Sequence, residues 1–116
     1  MEMKVKTASS SRDRKLGLMF KLSLPKDSGL LLVSNNGIRG IHMMFMFLSL
    51  DVVFLDKRDC ILKVYHNVKP WSKFMFVKGA YKVLEVKAGV CREYGLEEGM
   101  TLNFEDKGGG HYRLKL

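Results

Sequence analysis

One acidic residue inside an apolar run limits what this chain can fold into more than any other feature. Residues 41–56 read IHMMFMFLSLDVVFLD, and Asp51 is the only acidic or basic residue, His42 aside, between Ile41 and Leu55. A lone carboxylate in an apolar interior is costly, so Asp51 must accept hydrogen bonds, meet an opposite charge or line a cavity. The run to Leu55 is 15 residues long, short of the roughly 20 that a membrane-spanning helix needs. Its β-branched and aromatic content favours buried strands, so no membrane partner is expected.

Around this run the chain reads as a single domain, residues 1–116. Its composition, 47% hydrophobic and 28% charged, argues against disorder. The opening MEMKVKTASSSRDRK has no apolar core of a secretory signal, which makes a cytoplasmic location the expectation. Alternation or apolar runs predict strands over 3–7, 30–33, 41–45, 50–55, 60–65, 83–86, 100–104 and 112–116. DKRD at 56–59 and GGG at 108–110 are turns, the latter closing a C-terminal hairpin over 100–116. Short helices are expected through Leu16 and Met19, behind Ser10 as cap, and over Ala88–Tyr94, with Gly95 as the left-handed exit. The fold class expected is α+β, mainly β: a small, mixed, mostly antiparallel, barrel-like sheet with two short helices.

The order of four segments is distinctive. Gly17-Leu18-Met19 is followed by IHMMFMFLSLDVVFLD, then Pro70-Trp71, then Glu85 with Ala88-Gly89, Gly95-Leu96 and Gly99. This series resembles the prokaryotic family called domain of unknown function 192, or uncharacterised protein family 0127, over about residues 7–104. Phe47 stands where a basic residue commonly follows F-M in that family, and Ser49 stands where proline usually precedes the L-D pair. The resemblance implies a small β-rich domain and carries over no activity and no cofactor.

Read from the residues, the favoured function is a non-enzymatic binding or accessory domain. A small polar or anionic ligand would sit at a barrel mouth. Asp51 and His42 would fix its orientation, because a carboxylate beside an imidazole makes a binding or general-base pair. Arg14 and Arg39 offer rigid donors for carboxylate or phosphate, Asn36 a further polar group, and Trp71 an apolar cover. Against this stands a purely structural Asp51 that accepts backbone donors. A hydrolase using Asp51 and His42 is a further alternative, although no nucleophile accompanies them.

Charge suggests another partner. The net charge is +8, and residues 61–90 hold six basic residues against the single Glu85. Lys69, Lys73 and Lys78 interleave with Trp71 and Phe74, a pattern that suits RNA or DNA. Cys60 and Cys91 lack CxxC spacing and read as two unpaired thiols. Met43 points away from Met44 and Met46 on a strand, and His42, His66 and His111 lack ligand spacing. No metal and no cofactor are expected, and nothing in the chain calls for more than a monomer.

Overall fold

The computed structural model describes residues 2–8, 24–38, 48–71 and 75–116, which form seven strands and one short helix. In chain order these are β1 (Glu2–Ala8), β2 (Ser28–Val33), β3 (Leu50–Leu55), β4 (Ile61–Val68), β5 (Lys82–Lys87), α1 (Val90–Glu93), β6 (Asn103–Gly108) and β7 (His111–Lys115). The strands make one sheet in the order β4-β3-β5-β2-β1-β7-β6. β1 and β2 run parallel, and every other neighbouring pair is antiparallel.

The end of the apolar run becomes β3, which is buried at all its positions. Both faces of the sheet are covered there, so β3 shows no polar alternation. Leu50, Val52 and Phe54 join Leu30, Leu32 and Val83 on one face. Val53 and Leu55 join Met3, Val5, Leu84 and Val86 on the other, where Val90 and Cys91 of α1 also pack. The cross-strand register places Asp51 on this second face beside Val86. Glu85, equally buried, lies on the first face between Leu30 and Val52.

The barrel-like expectation is corrected by the sheet order: β4 and β6 are two separate edges. Among the described residues they approach each other at one isolated bridge, Cys60 with Thr101. Ile61 N–H donates to the Met100 carbonyl there at 2.7 Å. The segment before β6 tucks buried Leu96 and Leu102 under the second face rather than extending a ladder along β4. A count of short strands does not determine closure, which needs matched tilt and stagger around the whole sheet. Two helices were expected, and the described residues contain one, a single turn within the predicted 88–94. The helix through Leu16 and Met19 and the strand over 41–45 lie outside the described residues. The strand expected over 100–104 is displaced to 103–108, whereas 50–55 stands as expected. No helix among the described residues is long and apolar enough to cross a membrane.

Local chemistry accounts for the turns. In DKRD, Asp56 Oδ1 accepts from the Arg58 and Cys60 amides at 2.8 and 3.0 Å. Asp59, in the left-handed region, pairs with Lys82 at 2.6 Å. At the β6–β7 turn Gly110 has φ +79°, and a Cβ there would stand 2.9 Å from Thr7 Oγ1. Its carbonyl accepts from both the Thr7 amide and the Thr7 hydroxyl. Gly110→Ala is therefore expected to cost about 1–3 kcal/mol from backbone strain and displacement of Thr7. Urea unfolding checks this, and an unchanged midpoint would show that the β6–β7 turn relaxes freely.

Candidate functional site

Asp51 is fully buried, and backbone amides from two separate elements converge on it. Leu50 pairs with Val68 and Val52 with Tyr65, so two residues of β4, His66 and Asn67, stand opposite the single Asp51. This is a β-bulge, which frees an amide from the ladder. Asn67 takes φ +50°, a conformation asparagine tolerates, and its N–H donates to Asp51 Oδ1 at 2.8 Å. From the other side, the amides of Gly89 and Cys91 donate to Oδ2, each at 3.0 Å. Gly89 precedes α1 at φ +98° and has no side chain with which to cap the helix. Asp51 does this from a neighbouring strand, with charge-assisted hydrogen bonds.

The same arrangement quiets Cys91. Burial first, and then the neighbouring Asp51 carboxylate, push its thiol up to about 12. A thiol held protonated is a poor nucleophile. Cys60 and Cys91 are both free, with Cys60 partly exposed.

Beside Asp51 lies an open cleft of about 410 Å³ lined by Asp51, His66, Asn67, Ala88, Gly89 and Arg92. The β4 bulge supplies one wall and the β5–α1 turn the other. His66 and Arg92 are exposed and offer an imidazole and a guanidinium to a ligand. Both oxygens of Asp51 are occupied by its own backbone donors, so its part is to hold the walls in register.

Of the proposed ligand-site residues that lie among the described residues, Asp51 alone is found in the lining of this cleft. Asn36 is exposed in the turn after β2, where Ser34 Oγ donates to the Gly37 carbonyl at 2.9 Å. Trp71 is half exposed and holds φ +62°. Lys69 and Lys78 are exposed. His42, Arg39, Arg14, Lys73 and Phe74 lie outside the described residues. His66, Asn67 and Arg92 were missed. The expected β3–β4 hairpin points to the first two, once its pairing is carried back to Asp51.

The family model for DUF192, described as Uncharacterized ACR, COG1430, matches residues 1–104. The chain belongs to the DUF192 family. The UPF0127 protein PH1112 of Pyrococcus horikoshii is 32% identical over 91% of this chain and 86% of its own length. A UPF0127 protein of Thermococcus sibiricus is 29% identical over 88% of this chain, and the match spans 66% of that longer protein. Two crystal structures share the DUF192 fold at 22% identity. One, a protein of unknown function from Novosphingobium aromaticivorans, has a TM-score of 0.75 and covers 82% of this chain and 70% of its own. The other, from Sinorhizobium meliloti and provisionally described as a transcription regulator, has a TM-score of 0.76 and covers 96% and 80%. They show the fold alone.

Two outcomes are expected for this DUF192 site. Asp51→Asn keeps one acceptor oxygen but aims an NH₂ group at the remaining amides, and should cost about 3 kcal/mol in chemical denaturation. A loss under about 0.5 kcal/mol would mean that the amides find other partners. For Cys91, the folded state holds its proton more tightly than the ordinary value of 9.0. Its contribution to stability is thus complete below that value and falls as pH rises towards 12. Alkylation mapped by mass spectrometry at mildly alkaline pH should label Cys60 in the native protein and Cys91 only after unfolding.

Proposed function

We propose that this DUF192 domain is a non-catalytic binding or accessory domain that holds a small polar or anionic ligand in the cleft beside Asp51. The observation that carries this reading is the construction of the cleft. One buried carboxylate holds both walls, and exposed His66 and Arg92 stand beside it. A guanidinium and an imidazole together suit a carboxylate or phosphate group. The volume is that of a small-molecule site. Asp51 is a positioning residue here, since both its oxygens already accept backbone donors from the two walls.

The test is amide-resolved NMR titration with succinate, glutamate and inorganic phosphate. Saturable shifts are expected at the Asn67, Ala88 and Gly89 amides. Arg92→Ala, a change at an exposed side chain, should weaken binding by about tenfold with the melting temperature unchanged. Flat titrations with all three probes, or shifts that survive in Arg92→Ala, would overturn the reading.

A further inference from the structure

A second cleft, independent of the Asp51 site, opens where β1 lies between β2 and β7, and its volume is about 400 Å³. Its described lining contains five basic residues, Lys4, Lys6, Lys107, His111 and Arg113, and no carboxylate. Leu24 and Leu30, both buried, give it an apolar floor.

The register shows how the charges are gathered. Lys4 stands directly across from Arg113, and Lys6 directly across from His111. On the β2 side the same two lysines face Ser28 and Leu30, which neutralise nothing. Like charges directly opposite on antiparallel strands destabilise a sheet. Elsewhere Lys26 pairs with Glu93 and Lys82 with Asp59, and within the lining Lys107 pairs with Glu105 and Arg113 with Glu2. Lys4 and Lys6 form no ion pair among the described residues. The cleft therefore keeps a net positive charge over an apolar floor. By strand alternation it lies on the face of Leu30, opposite the face that holds Asp51.

We infer that this cleft binds a small phosphorylated molecule, with its phosphate or pyrophosphate group on Lys4, Lys6 and His111 and its uncharged part against Leu24 and Leu30. Ammonium groups bind phosphate as point charges, and a concave site with a few basic groups concentrates the field between them. The volume matches a nucleotide-sized ligand better than a flat polyelectrolyte surface.

The probes are inorganic pyrophosphate and a nucleoside diphosphate, titrated into the whole chain and followed by amide-resolved NMR and calorimetry. Saturable shifts centred on residues 4–6 and 111–113 are expected, with the nucleoside diphosphate binding more tightly than pyrophosphate. The double variant Lys4→Gln/Lys6→Gln should weaken both by at least about tenfold. It should also unfold at an equal or slightly higher temperature in low salt, because it removes like-charge repulsion; a variant that merely damaged the fold would melt lower. Unsaturable binding, or full affinity in the double variant, would overturn the inference. So would shifts centred on Asn67 and Gly89, which would assign the anion to the Asp51 cleft instead. A short single-stranded oligonucleotide that binds the same residues far more tightly than either probe would also overturn it, as the cleft would then be a nucleic-acid surface.

Discussion

A carboxylate that accepts three backbone amides organises this domain. Desolvating Asp51 costs several kcal/mol, and only hydrogen bonds to its charged form offset that. Three are supplied, at 2.8, 3.0 and 3.0 Å, from β4 and from the turn into α1. Amides at both places would otherwise be left without partners, one freed by the bulge and two at the start of a helix. A neutral asparagine cannot accept with both terminal atoms, so aspartate is the side chain that fits. The charge in the middle of the apolar run and the bulge in β4 are two halves of one solution.

β4 and the β5–α1 turn are both tied to β3, the most buried strand, and the sheet becomes more exposed towards its edges. β4 presents Lys63, His66 and Asn67 to solvent, and β6 is exposed from Glu105 through Gly108. Charge, a bulge and glycine at the edges are features that deter further strand pairing. An open sheet with such edges can remain a discrete unit without closing. The Cys60–Thr101 bridge brings the edges together at one point among the described residues, and Leu96 and Leu102 pack into the core of the second face.

What could be read in the chain follows from which interactions leave a side-chain signature. Leu50–Leu55 was readable because a strand buried on both faces must be continuously apolar, and DKRD was readable because aspartates mark turns. That Asp51 required satisfaction was equally plain. Its partners were not, because backbone amides are the same in every residue, and a left-handed Asn67 looks like any other asparagine in a polar strand. His66 and Arg92 were hidden for a related reason. They enter the cleft through a one-residue bulge and a glycine turn, and a register shift of that size has no hydropathy pattern. The barrel was inferred from many short strands, yet the parallel pairing of β1 with β2, which sets the strand order, depends on long-range topology that periodicity does not encode.

Charge placement separates the two faces. On the face of Asp51 the buried negative charge is consumed internally, and His66 and Arg92 beside it are solvent-facing groups at the mouth of an open cleft. On the other face, cross-strand pairing brings four basic groups together over Leu24 and Leu30, and the nearest acids, Glu2 and Glu105, serve Arg113, Lys107 and Lys115. Solvated lysines spread at random would each find water and salt on their own. Held across a ladder, Lys4 and Arg113 repel each other at a separation that salt screens only in part. That repulsion is a standing cost in the free protein and becomes attraction as soon as an anion enters. It therefore favours the bound state twice, by relieving strain and by adding contacts, without any change in the sheet.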